Sequence, residues 1–406
     1  MINEEMYRLG DTRSIIRELF EYGRIQKAKL GEDKVYDFTL GNPSVPCPKI
    51  VNDYASYLLA NDENVHAYTQ AQGSLETRQA IVDYNSKKYG FTLDANLIYL
   101  TCGAAAALKI VFSSIISESN EEILAISPFF PEYRVFAQTS GAVFNFVKCD
   151  EKNFLVDFDE LEKSITKNTR ALIINSPNNP SGTVYDSQTI SKISEILTKK
   201  QQEYGTTIYL ISDEPYKEIV FEGNDCPYIP CFYDNTIICY SYSKALSLPG
   251  ERIGYIAISP KCSESERLYK AVNGAGRALG YVCAPSLFQK VIAKHIDTIS
   301  DFSVYKDNRD ILIEILTKLG FTCVNPKGAF YLFVKSPISD AVKFSESAKK
   351  YNLLVVPSNS FGVEGYVRIA TCVSKETAIN SKDAFTQLAK EYNLIWLWNI
   401  KLFLLI

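Results

Sequence analysis

Thr236-Ile237-Ile238-Cys239-Tyr240-Ser241-Tyr242-Ser243-Lys244 is an apolar run that closes on a lysine, and Pro249-Gly250-Glu251-Arg252-Ile253-Gly254-Tyr255 opens the next one. Neither run alternates strictly between apolar and polar residues. Strands buried on both faces read this way, because helices rather than water cover each face. Four earlier runs, 96–101, 122–127, 171–176 and 207–213, have the same character. With 236–243 and 253–259 they predict six strands. Amphipathic stretches such as Ser187–Tyr204 lie between several of them. Strand–helix–strand alternation predicts an α/β chain with a mostly parallel central sheet flanked by helices.

The flanks read differently. A helical stretch covers 12–30, and residues 286–406 mix helices with short strands at 329–334 and 353–356. The expected organisation is a large domain, 41–289, and a smaller α+β domain built from 1–40 and 290–406. No internal repeat or low-complexity linker interrupts it.

The 406 residues are 46% hydrophobic and 22% charged, as in ordinary globular proteins. A net charge of −4 gives no reason to expect nucleic acid as a partner. Ten scattered cysteines without a Cys-x-x-Cys pair, and only two histidines, make a Cys/His metal site improbable. Unpatterned thiols fit a reducing compartment, and the acidic, polar start lacks the order of a signal peptide. The cytoplasm is therefore expected. No segment reaches the about 20 apolar residues that span a bilayer. The final segment, WLWNIKLFLLI at 396–406, holds both tryptophans; a docked element and an irregular end both fit it.

Sites in open parallel sheets form beyond the carboxyl ends of the strands. Four of those ends carry suitable groups. Thr101-Cys102-Gly103-Ala104-Ala105-Ala106-Ala107-Leu108 turns at a glycine into an alanine-rich helix, whose free N–H groups suit a phosphate. An ordinary helix start reads the same. Asn175-Ser176-Pro177-Asn178-Asn179-Pro180-Ser181-Gly182 is a tight turn rich in amide donors. Ile211-Ser212-Asp213-Glu214-Pro215-Tyr216 ends a buried strand on an acid that needs a partner or caps a helix. Lys244 is either a structural lysine or an amine nucleophile whose pKa burial or a cation would depress; Arg252 stands eight residues on.

Taken in this order, with Gly365-Tyr366-Val367-Arg368-Ile369 near the end, the motifs resemble those of class I/II aminotransferases of fold type I, which use pyridoxal 5′-phosphate. The resemblance spans about Phe38 to Thr371. It implies that Lys244 holds the cofactor as a Schiff base and then moves the substrate's Cα proton. Asp213 would pair with the pyridine nitrogen, and Tyr216 and Asn179 would donate to the ring O3′. The phosphate would sit on Gly103, Ala104, Ala105, Ser241, Ser243 and Arg252, and Phe130 would stack on the ring. Tyr68 matches a tyrosine that reaches the neighbouring subunit's phosphate, which implies a homodimer. Arg368 and the backbone of Gly41, with Asn179, would hold the substrate α-carboxylate.

The chain departs from the pattern at Ser358, where glycine is usual, and in the glycine-rich run Gly274–Gly280. Arg277 falls near a position where dicarboxylate-specific members place an arginine from the partner subunit, which makes aspartate the favoured donor and 2-oxoglutarate the acceptor. Phe129, Phe130 and Tyr133 would equally suit an apolar substrate side chain. A cysteine-S-conjugate β-lyase would use the same residues. A regulatory protein of this fold would carry a DNA-binding module, for which residues 1–35 are too short and too little basic.

Overall fold

The computed structural model describes residues 2–11 and 14–395. Among them seven strands form the central sheet: β1 (Ile98–Thr101), β2 (Glu122–Ile126), β3 (Val143–Val147), β4 (Thr169–Asn175), β5 (Tyr209–Glu214), β6 (Thr236–Ser241) and β7 (Gly254–Ile258). Their spatial order is β1-β7-β6-β5-β4-β2-β3. Only β7 runs against its neighbours, β1 and β6; every other pairing is parallel.

Side chains alternate between faces along a strand. Ile211, Ile237, Cys239 and Ile256 pack with Ala107, Leu108 and Val272 in one core. On the opposite face, Leu210 and Leu172 meet Ile190, Ile193 and Leu197, while Ile238 and Ala257 meet Ile81, Val291 and Ile292. Two buried faces explain why the runs are continuously apolar. They also fix two facts that matter below. Asp213 shares the face of Ile211, and Ser212 and Glu214 point the other way.

The six expected runs are all strands, with shifted ends. The 236–243 run stops at Ser241 because Ser241 Oγ accepts from Ser243 N and starts the helical turn Tyr242–Ala245. The run 96–101 begins with a 3-10 turn, Ala95–Leu97. The sequence reading did not name β3; it lies at the sheet edge with much of its surface exposed.

A second, four-stranded sheet has the order β8-β9-β11-β10, where β8 is Thr322–Val324, β9 Tyr331–Lys335, β10 Val356–Pro357 and β11 Tyr366–Ala370. Leu332, Val334, Val367 and Ile369 bury one of its faces against Phe344, Phe385 and Leu388. Tyr36–Asp37 pairs with Leu353–Leu354, so both chain ends contribute to this layer. The helix expected over 12–30 is Ile15–Leu30, capped by Ser14 Oγ, which accepts from Arg17 N. A separate helix, Glu4–Asp11, precedes it. Residues 12 and 13 and the tail 396–406 lie outside the described residues. No helix among the described residues is long and apolar enough to cross a membrane.

Candidate active site

The carboxyl ends of β4, β5 and β6 open into a cavity of about 280 Å³. Asn175, Asp213 and Ser241 stand at those ends, and Gly41, Ala104, Phe130, Lys244, Arg252 and Arg368 complete the wall. The four sequence motifs and the late arginine therefore meet in one place.

Asp213 is 4% exposed. Tyr133 Oη donates to its Oδ2, while Oδ1 is buried without a hydrogen-bond partner among the described residues. Burial pushes its carboxyl up to about 7; the Tyr133 bond opposes this and the Glu214 charge adds to it. A buried acceptor left bare costs roughly 1–3 kcal/mol, and more when charged. Asn175 Nδ2 donates to the Asp213 carbonyl at 2.9 Å, and Asn175 Oδ1 accepts from Asn179 N at 2.7 Å. The Asn175–Gly182 turn is thereby tied to the end of β5.

Three elements form an anion cradle. The helix Ala104–Ile115 begins at Gly103, which gives no side-chain cap, so its first N–H groups are free for a ligand. Ser241 Oγ donates to Ser243 Oγ at 2.8 Å, and Arg252 Nη1 donates to Ser243 Oγ at 3.2 Å. Arg252 Nη2 reaches the Cys102 carbonyl at 3.3 Å. Gly103 has φ +81°, and a Cβ there would lie 2.7 Å from Arg252 Nη2. A Cβ at Gly254 would lie 2.3 Å from the Tyr240 carbonyl and 3.0 Å from Gly103 Cα. Glycine at both positions lets the two backbones close the cradle.

Lys244 follows β6 by one turn and is half-buried. Its Nζ donates to the Gly41 carbonyl at 2.5 Å and lies 5.6 Å from the Phe330 ring centre. Burial draws its pKa down to about 8, and the Arg252 and Arg368 charges pull in the same direction. Gly41 must be glycine here: a Cβ would fall 1.9 Å from Tyr331 Oη.

Arg368, on β11, is 2% exposed. Nη1 donates to Asn179 Oδ1 at 2.9 Å and Nη2 to the Thr39 carbonyl at 2.5 Å. Nε is buried without a partner among the described residues. The guanidinium lies 4.5 Å from the Tyr331 ring centre and 5.4 Å from that of Phe361. None of these partners is an anion, although burying such a cation alone costs several kcal/mol. A guanidinium so placed can pair with a carboxylate. Tyr216 Oη and Tyr331 Oη are hydrogen-bonded at 3.0 Å beside it, and burial holds the Tyr216 phenol well above its ordinary range.

Two expected residues do not join this cavity. Tyr68 is 96% exposed, and Arg277 is exposed in the last turn of the helix Ser265–Leu279. Phe129 and Tyr133 correct the reading that they line the substrate space. Both are 1% exposed in the core beneath the sheet ends, and of that segment only Phe130 reaches the cavity. Ser358 is fully buried, its Oγ accepting from Tyr366 N at 3.1 Å, so serine here braces the start of β11. Tyr331, Ile16 and Leu40 are among the lining residues that the sequence did not assign, and Tyr133 acts through Asp213 rather than on the substrate side. Tyr331 falls in an apolar run and reads as core.

Residues 33–380 match the family described as aminotransferase class I and II. An aspartate aminotransferase of Pyrococcus horikoshii is 33% identical over 91% of this chain and 93% of its own length. An aromatic-amino-acid aminotransferase of Thermococcus litoralis is 27% identical over 94% of this chain and 97% of its own. The crystal structure of an amino transferase from Eubacterium rectale superposes with a TM-score of 0.95 at 50% identity, covering 97% of this chain and 99% of that one. The fold is thus the fold type I α/β architecture of these enzymes. With the match spanning most of its length, the chain belongs to the class I and II aminotransferases and is a transaminase of a family that uses pyridoxal phosphate.

Proposed function

We propose that the cavity holds pyridoxal 5′-phosphate through Lys244, Asp213 and the Gly103–Arg252 cradle and transfers an amino group from aspartate to 2-oxoglutarate. The observation that carries this reading is the bare Oδ1 of Asp213. It shares a cavity with a depressed-pKa lysine and an anion cradle, and a protonated pyridine nitrogen is the cation that would relieve it. When bound, pyridoxal phosphate supplies an aldehyde carbon for an amine and a cationic ring that draws electrons from the adjoining carbon.

The chain's own residues do the rest. Ser241, Ser243, Arg252 and the N–H groups of Ala104 and Ala105 bind the phosphate. Phe130 covers a face of the cavity that suits the ring. Asp213 holds the proton on the ring nitrogen, and Tyr133 keeps that carboxylate in place. Tyr216 and Asn179 donate toward the ring hydroxyl oxygen. Arg368 takes the substrate α-carboxylate, with Asn179 and the Gly41 backbone beside it. Lys244 Nζ would leave the Gly41 carbonyl and serve as the base that takes the substrate's Cα proton and as the acid that gives it back.

The pocket would lie between a large domain, 41–289, and a small one formed by 1–40 and 290–406. Tyr68 and Arg277 would complete the pocket of a second copy in a homodimer. Tyr68, Leu75, Leu279, Tyr281 and Val282 are exposed, a surface that suits a partner. The loop after Tyr68 joins the Arg277 region through Cys283 N, which donates to the Ala71 carbonyl at 3.0 Å. The aspartate preference rests on Arg277, because Ile16 and Leu40 add only apolar surface to the substrate side. The cytoplasm remains the expected compartment.

Three outcomes follow. Asp213→Asn retains bound cofactor but loses about 10²- to 10³-fold in kcat, as when a group facing developing charge is removed; single-turnover absorbance measures this, and an unchanged rate contradicts the role. Lys244, with its pKa lowered to about 8, is neutral above that pH. The apoenzyme's rate of pyridoxal phosphate capture should therefore rise with pH and level off above about 8, where an ordinary lysine would keep rising to about 10.4. Arg277→Ala should raise KM for aspartate at least about tenfold while sparing alanine; equal effects on both donors remove the dicarboxylate preference.

A further inference from the structure

Behind β5, on the face opposite Asp213, lies a buried ion pair that the chemistry above does not use. Glu214 Oε2 stands 2.9 Å from Lys217 Nζ, with side-chain exposures of 2% and 4%. The angle falls short of a hydrogen bond, so the contact is ionic. Glu214 Oε1 accepts from Ser212 Oγ at 2.8 Å. The Lys217 ammonium lies 5.2 Å from the Tyr89 ring centre and 4.8 Å from that of Tyr228, and those two rings stack at 4.4 Å. The lysine is thus held between an aromatic wall and one carboxylate, without access to water.

Tyrosines, a cysteine and a second carboxyl surround Glu214 and Lys217. Burial raises the pKa of Tyr89, of Tyr228 and of Tyr255 on β7, and holds Cys226 up at about 11. Burial also raises the pKa of Glu218, one residue past Lys217, against the opposing charges of Lys88 and Lys217. Around Asp213 itself, Tyr133, Tyr216 and Cys239 are likewise raised by burial. Among the described residues Lys217 is the cation in contact with Glu214, while Lys88 acts on the neighbouring Glu218. Glu214 and Asp213 are consecutive, so whatever charge Glu214 carries acts on Asp213 through one peptide unit of low-dielectric strand.

We propose that the Glu214–Lys217 pair is a positioning pair that sets the electrostatic potential at Asp213 from the far face of β5. This rests on the reading that Asp213 faces the bound cofactor. In the intact pair Lys217 offsets part of the Glu214 charge that reaches Asp213. An unbalanced one adds a charge of known sign, which distinguishes electrostatic tuning from simple support of the strand.

The test uses the holoenzyme and three variants: Lys217→Met, Glu214→Gln and the two combined. The readout is the pH midpoint of the bound cofactor's visible absorbance, alongside kcat and KM. Lys217→Met leaves an unpaired anion, which stabilises the protonated chromophore, and should move the midpoint up by about 0.5–1 unit. Glu214→Gln leaves an unpaired cation and should move it down by a similar amount. The double variant should return to within about 0.3 unit of the parent. A structural role would move both single variants the same way or not at all, and would not cancel in the double; any of these overturns the inference. If Lys217→Met does not fold, Glu214→Gln still decides, since an unmoved or raised midpoint there overturns it. Wild-type protein without bound absorbance overturns the cofactor reading and this inference with it. Wild-type titration with unmoved variants overturns this inference alone.

Discussion

One oxygen of Asp213 is held by Tyr133 and the other is left bare at the end of a doubly buried strand. The rest of the site can be understood from that constraint. An uncompensated carboxylate in this position is expensive, and its raised pKa is the measure of the cost. A cation beside Oδ1 would offset that penalty. Arg368 shows the same design with the opposite charge, having amide, carbonyl and aromatic partners but no anion. Lys244 shares the cavity with Arg252 and Arg368, and burial with their charges draws its pKa down to about 8. The cavity thus gathers a bare carboxylate oxygen, a buried guanidinium and an arginine–serine cluster around one lysine.

The architecture delivers these groups economically. Three parallel strands end side by side, so Asn175, Asp213 and Ser241 reach one edge without any long loop. Pairing of Asn175 with Asp213 in register lets the asparagine brace the aspartate's own carbonyl. The antiparallel β7 returns the chain to bring Arg252 and Gly254 beside Gly103, and β11 brings Arg368 from the far end of the sequence. A helix near the chain start adds Ile16 to the wall.

Much of this was legible in the sequence because each motif is local. The apolar runs, the glycine turn at Gly103 and the lysine after a strand are read within a few residues of one another. The α/β class followed from the missing alternation, which two buried faces explain. What stayed hidden depends on long-range contact. The Arg368–Asn179 bond spans 189 residues. Tyr133 is hydrogen-bonded to Asp213 across 80 residues, yet beside Phe129 and Phe130 it reads as a surface for an apolar substrate side chain. Tyr331 excludes every side chain at Gly41, a constraint visible only when the two segments meet. Tyr68 and Arg277 are exposed and do not line the cavity of their own chain, which their local motifs do not reveal.

The central claim is that Lys244 is the amine that bonds the cofactor. Borohydride reduction of the pyridoxal phosphate-loaded protein, followed by proteolysis and peptide mass analysis, tests it directly. The account predicts a single phosphopyridoxyl label on Lys244, in the peptide that carries Ser241 and Ser243. A label on another lysine, or none on protein that has bound the cofactor, would contradict it.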